Sequence, residues 1–370
     1  MSQISDFKEF QGEWEEHGLS EFLDFKNGLN PKPDKFGKGI KFISVMDILN
    51  NAVITYDCIK TSVDVTEKEL SDFSVERGDL LFQRSSETLE DVGRANVYMD
   101  DKTAVFGGFV IRGKKKGEYE PQFFNYLLRS PFARKRIIPM GAGAQHFNIG
   151  QEGLNKVKLH FATIEEQKKI GKFLSLLDER IATQNKIIDK LQSLIKGINK
   201  QLFMANGNWR TVKIGELLRI GNGKDYKHLG IGKIPVYGTG GQMLLVNDYL
   251  YDGDSVYIGR KGTIDTPMFL TGKFWTVDTL FYTYYFKELL PKFCYYLFLQ
   301  INWKSFNEGT GVPSLSKSTI ENIKVKIPTL EQQHNICSIL DCYENKIKNE
   351  KQILELYHSE KQFLLRQMFV

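Results

Sequence analysis

Two long stretches carry apolar residues at alternating steps of four and three, the signature of a helix that buries one seam. In the first, the apolar positions are Ile170, Leu174, Leu177 and Ile181, then Ile188, Leu191, Ile195, Ile198 and Leu202, with Gln184 filling the gap. In the second they are Ile336, Leu340, Tyr343, Ile347, Leu354, Tyr357, Leu364 and Met368, interrupted by Glu350 and Lys361. Neither stretch contains proline. At 1.5 Å per residue, some 40 residues predict helices of roughly 60 Å. Thr163 with Glu166, and Thr329 with Gln332, stand three apart at the helix starts as N-cap and capping-box partner. Asn206-Gly207 reads as a left-handed stop for the first helix.

The two helices are copies. Gly143 to Phe203 aligns without a gap on Gly309 to Phe369, and Thr163-Ile164-Glu165-Glu166-Gln167 matches Thr329-Leu330-Glu331-Gln332-Gln333. Upstream the correspondence is looser. Trp14 to Gly28 resembles Trp209 to Gly223, and Gly78-Asp79 leading to Arg84 resembles Gly253-Asp254 leading to Arg260. The chain therefore divides into a globular unit (1–162), a helix (163–204), a second globular unit (205–328) and a second helix (329–370). A lone heptad helix cannot bury its seam, so the two are expected to pair with each other or with another chain. An antiparallel pair with Gln184 level with Glu350 sets Ile170 opposite Leu364, Ile181 opposite Ile353 and Leu202 opposite Gln332. Such a coil between duplicated globules acts as a ruler.

The globular units read as mixed α and β. Ile40 to Val45, Asp79 to Phe82, and Val105 to Ile111 predict strands, as do Ile234 to Tyr237, Ser255 to Ile258, and Phe274 to Phe286 broken near Asp278. Pro121 to Leu128 and Pro291 to Leu299 predict apolar helices. The fold class is thus α+β, with a pseudo-two-fold repeat: two mixed units and two long helices pairing as an antiparallel coiled coil.

Composition adds limits. The chain has 370 residues, a formal net charge of +5 and four scattered cysteines. That balance is compatible with a nucleic-acid partner, and the cysteine spacing suggests neither a disulfide framework nor a zinc site, as in a reducing cytoplasm. The longest apolar run, near Phe293 to Leu299, is far short of a membrane span, and no signal peptide is read at Met1. None of the Gly-Lys pairs is followed by Ser or Thr, no His-Glu-x-x-His occurs, and Asn-Pro-Pro-Tyr or Asp-Pro-Pro-Tyr is absent. Glu166-Gln167-Lys168 superficially resembles part of a nuclease motif, but it lies at a helix cap. A binding subunit, not an enzyme, is expected, with no metal and no cofactor of its own.

Basic and aromatic residues gather in the glycine-rich loops. Arg84 and Arg260 each follow a strand and enter a turn where arginine can reach phosphate or the guanine edge. Lys115, Arg134 and Arg136 mark the first unit; Lys224, Tyr226 and Lys261 mark the second. Gln145 and His146 lie in a small-residue loop whose copy contains Thr310. These are the candidate DNA-binding residues.

In this order the motifs resemble the specificity subunits of type I restriction–modification systems. The resemblance rests on the duplicated Ala162/Pro328-Thr-Ile/Leu-Glu-Glu/Gln-Gln that opens a long helix ending in Gln-Leu/Met-Phe at Phe203 and Phe369. It also rests on the tryptophan start and the Gly-Asp strand of each unit, and it spans essentially the whole chain. It implies that each globular unit is a target-recognition domain for one half of a bipartite site in double-stranded DNA. The coil would set the spacer, and two modification subunits would dock at its ends, around Glu165, Gln167, Gln201, Glu331, Gln333 and Gln367. Those partners would carry S-adenosylmethionine and adenine methylation, and restriction subunits would add cleavage with ATP and Mg. The rival reading is a coiled-coil scaffold whose globular units bind protein.

Overall fold

The computed structural model describes residues 13–204 and 209–369. The Asn206-Gly207 stop lies outside the described residues. Four helices organise the chain: α1 (Pro121–Arg129), α2 (Ile164–Met204), α3 (Pro291–Phe298) and α4 (Leu330–Gln367). By contacts the chain forms two compact units, Met1–Asn185 with Gln352–Val370, and Lys186–Lys351. Each unit takes one half of either long helix.

The first unit holds two four-stranded sheets. One runs Leu23–Asn27, Val110–Lys115, Leu80–Gln83, Ala95–Val97, all antiparallel. The other runs Ser62–Val63, Phe36–Ile43, Ala104–Phe106, Ser74–Val75, with a parallel pairing between its two middle strands. Glu15–Gly18 and Lys158–Phe161 close the unit as an antiparallel ribbon beside the start of α2.

The second unit repeats this order strand for strand. Arg219–Asn222, Leu280–Tyr284, Ser255–Gly259 and Met268–Leu270 make the antiparallel sheet. Gly241–Val246, Ile231–Gly238, Lys273–Thr276 and Tyr251–Asp252 make the other, again with one parallel pairing at its middle. The ribbon is Arg210–Lys213 with Lys324–Ile327. The extra length of the first unit lies largely at Ser44 to Thr61. That excursion contains the helix Val45–Asn50, and the second unit makes the same connection by a short turn at Thr239-Gly240.

Two expectations change. Val105 to Ile111 is not one strand; it is Ala104–Phe106 and Val110–Lys115 with a turn between. A side chain at Gly107 would strike the Phe42 ring, and one at Gly108 would strike the Asn30 amide, so the chain bends at two glycines that leave room for those side chains. Val45 leaves its predicted strand to begin a helix, capped by Ser44 with Asp47.

In the first unit α4 runs antiparallel to the start of α2. Ile170, Leu174, Leu365 and Phe369 share one core with the antiparallel sheet and α1, and Lys361 pairs with Asp178 at 2.5 Å. The expected register puts Leu356, not Lys361, level with Asp178. Both Cα–Cβ bonds tilt toward their own helix N-terminus, and that tilt brings the two side chains together across the offset. Ile353, expected on the seam opposite Ile181, is exposed; Ile181 itself is buried. In the second unit Ile198, Leu202 and Phe203 pack in the same core as Ile336, Cys337 and Leu340.

The helix starts differ in detail. Thr329 and Gln332 form the capping box, each side chain accepting from the other's backbone N–H at 3.4 Å. In the first copy Thr163 accepts from Glu166 N, but the Glu166 carboxylate accepts from the Trp14 indole at 3.1 Å instead of closing the box.

Candidate nucleic-acid interface

Arg84 follows the strand Leu80–Gln83 and is fixed on both sides. Its N–H donates to Phe109 O at 2.8 Å, and its carbonyl accepts from Ile149 N at 2.9 Å. Arg260 repeats the arrangement after Ser255–Gly259: its N–H donates to Thr279 O at 2.8 Å and its carbonyl accepts from Leu315 N at 2.9 Å. Two glycines allow the chain to pass here. A Cβ at Gly28 would collide with the Gly107 carbonyl, and one at Gly223 with the Val277 carbonyl. These are the glycines that the loose upstream alignment matched.

Around Arg84 the structure gathers Ser85 and Ser86, paired with Asn148 and Phe147, and the exposed loop carrying Gln145 and His146. That loop is pinched because Gly143 lies against the His146 carbonyl, as Gly309 lies against that of Val312. The Arg84 guanidinium donates to Gly108 O at 3.3 Å. In the second unit Lys261 bridges to Ser314, and Gly262 N donates to Pro313 O, so Arg260, Lys261 and the Thr310 loop stand together. Lys224 N donates to Thr276 O at 2.9 Å, and Gly223 N to Leu280 O, which brings Lys224 to the same sheet end. Tyr226 is half-buried against Val236, Val246 and Trp275.

The first unit's other basic candidates have partners of their own. Lys115 is at the opposite end of its strand from Val110, about 17 Å away at strand spacing, and donates to Tyr119 O at 3.0 Å. Arg134 donates to Glu90 O at 2.8 Å and Val92 O at 2.6 Å, and burial pulls its pKa down to about 10. Its guanidinium ties Glu90 and Val92 to the helix Pro131–Ile137, which makes it a structural brace. Arg136 is exposed on that helix, over the Phe132 ring at 5.5 Å.

The helix ends form a second set of sites. Gln167 and Gln333, expected at a subunit interface, are only 4% and 0% exposed. Gln167 accepts from Glu120 N at 3.1 Å and donates to Ala162 O at 2.9 Å. Gln333 accepts from Leu290 N at 2.9 Å and donates to Glu288 O and Pro328 O at 3.0 and 3.1 Å. Each amide thus bolts its long helix to the start of α1 or α3, and both groups of the amide are engaged within the chain. Glu165, Gln201 and Glu331 are exposed, and Gln367 is half-buried. They fall in two groups, Glu165 with Gln367 in the first unit and Gln201 with Glu331 in the second.

Among the described residues no group of three His, Cys, Asp or Glu side chains could hold a metal ion, and no helix is long and apolar enough to cross a membrane. Phe109, missed in the sequence, lies on the turn that holds Arg84; the Gly107-Gly108 pair was the available signal.

The family model described as type I restriction modification DNA specificity domain matches residues 11–193 and again 206–356. The chain is 23% identical over 418 residues to the type I restriction enzyme MjaVIII specificity subunit of Methanocaldococcus jannaschii, covering 94% of this chain and 92% of that one. The crystal structure of the type I restriction–modification S subunit from M. genitalium matches with a TM-score of 0.61 at 17% identity, over 97% of this chain and 96% of that one. A chain from a structure concerned with complex assembly and conformational transition of the type I system matches at 0.62 and 13% identity, over 96% and 97%.

Proposed function

The chain belongs to the family of type I restriction–modification DNA specificity subunits, and from that premise we propose that each unit reads one half of a bipartite site in duplex DNA. The observation that carries the reading is the repeated Arg84 and Arg260 geometry. Equivalent strands, turns and loops present arginine at one sheet end, while the neighbouring side chains differ. Gln145 and His146 accompany Arg84; Lys224, Lys261 and Thr310 accompany Arg260. A shared frame with unlike reading groups suits two unlike half-sites.

A few base contacts in one unit, at roughly 1–3 kcal/mol each, discriminate poorly against a genome of competing sites. Two readers on one scaffold add their contributions with little further loss of freedom. The paired helices set the distance between half-sites, and α2 alone, at 41 residues, extends about 60 Å. Two modification subunits dock at the helix ends around Glu165 with Gln367 and Gln201 with Glu331. Two equivalent sites call for two copies of one partner. Adenine methylation with S-adenosylmethionine, and cleavage with ATP and Mg, belong to the modification and restriction subunits, and the assembly works in the cytoplasm. The alternative of a protein-binding scaffold is not favoured by a DNA-specificity family match that spans both units.

The test is sequencing of genomic DNA for modified adenines, with and without this chain, in cells that hold the partner subunits. A split motif with unlike halves and a fixed spacer, lost on deletion, is expected. Unchanged methylation in an active system would refute the reading.

A further inference from the structure

We propose that Phe109 is a specificity-determining residue that packs on the 5-methyl group of one thymine in the half-site read by the first unit. The proposal rests on the DNA-reading assignment above and names a contact within it. Phe109 is 68% exposed. Its backbone is not loose. All three carbonyls of the Gly107-Gly108-Phe109 turn are engaged: Gly107 O by Val110 N, Gly108 O by the Arg84 guanidinium, and Phe109 O by Arg84 N. The turn is seated on the Phe42 ring and on Gly28, where a Cβ would meet the Gly107 carbonyl. A large ring is thus held outward at the position that also holds the arginine reader.

Its surroundings are apolar. Phe109 borders a hollow lined by Pro31, Phe36, Phe42 and Met46, of which Phe36 and Met46 are 40% and 60% exposed. Met46 belongs to the Ser44 to Thr61 excursion, which the second unit replaces by a short turn. The position equivalent to Phe109, defined by the hydrogen bond to the arginine N–H, is Thr279. In the major groove the one apolar group on a base edge is the thymine methyl, so an outward aromatic ring beside an arginine selects thymine next to the base the arginine reads.

The experiment uses the chain with its modification subunits and duplexes carrying the mapped site, with each thymine replaced in turn by uracil, which lacks only that methyl. Wild-type complex is expected to bind about fourfold more weakly at one uracil in the first half-site, the ratio that burial of one methyl group gives. Phe109→Ser should bind thymine and uracil equally there and respond as wild type to every uracil in the second half-site, which also verifies its folding. A wild-type complex indifferent to every first-half uracil overturns the proposal. So does a Phe109→Ser complex that keeps the wild-type response, as it would if the hollow seated a protein. Loss of any preference for cognate over scrambled duplex would overturn the underlying two-reader assignment as well, and so is told apart from failure of Phe109 alone.

Discussion

Phe369, at the end of the chain, packs against Phe123 of the first globular unit with ring centroids 5.6 Å apart, and Trp14 meets both rings at 6.0 and 5.6 Å. The second unit repeats the triad with Phe203 stacked on Phe293 at 5.2 Å and Trp209 beside both. Each globular unit therefore grips the first turns of the helix that follows it and the last turn of the other. The Gln-Leu/Met-Phe endings that looked like bare repeat marks are the tongues of these two grips.

Phe369 is 2% exposed, and Phe369→Ala should destabilise the first unit by about 3–4 kcal/mol through lost burial and the cavity left behind. Denaturant unfolding of the full chain measures it. A loss under 1 kcal/mol would mean that the terminal ring is not held in the core.

Gln333→Leu keeps the volume of the side chain but strands Leu290 N–H and the carbonyls of Glu288 and Pro328. A cost of about 1–3 kcal/mol is expected for the buried polar groups left unpaired, visible as a lowered Tm. Gln367→Ala, in contrast, should leave Tm nearly unchanged while weakening capture of modification subunits in pull-down experiments.

Arg134→Ala and Arg260→Ala should behave oppositely. The first removes the brace on Glu90 and Val92 and should lower stability with little change in DNA affinity. The second should weaken binding about 5- to 150-fold, and only for duplexes whose second half-site is intact, as fluorescence anisotropy with half-site variants would read. Equal loss of affinity in both variants contradicts the assignment of Arg134 as a brace.

Binding should also weaken steeply as salt rises, because basic groups that meet phosphates release condensed counterions. A salt titration of the complex on cognate duplex gives the slope directly, and a flat response would favour an apolar protein interface.

Burial pushes the Cys337 thiol up to about 12 and raises that of fully buried Cys294 well above its usual value, so both stay protonated and unreactive at pH 8. Cys342 is exposed. Mass spectrometry after brief alkylation should find Cys342 modified and Cys294 and Cys337 intact until the chain is unfolded.

The helices and the duplication were legible because a heptad seam is a long, periodic signal that survives substitution. The globular topology was not, because strands of two to five residues such as Ser62–Val63 or Tyr251–Asp252 carry no period to read. Their matching order emerges only when each is paired. Gln167 and Arg134 show a different limit. Nothing in the sequence near them states that their hydrogen bonds go to Glu120 and Ala162, or to Glu90 and Val92, and a polar side chain spent inside a fold looks the same in sequence as one held ready for a partner. The equivalence of Arg84 and Arg260 was legible because a repeat marks matching positions. Phe109 carried no such mark because its counterpart is Thr279, and divergence between the units erases the match that would flag a position.

The placement of Leu365 and Phe369 in the first unit sets an order of assembly during synthesis. The second unit needs no residue beyond Lys351. The first, although most of its residues precede the second unit in the chain, lacks part of its core until Leu365 and Phe369 are in place. A nascent chain should therefore hold the first unit's Trp14 and Phe123 exposed and dependent on chaperones until Leu365 and Phe369 have left the ribosome.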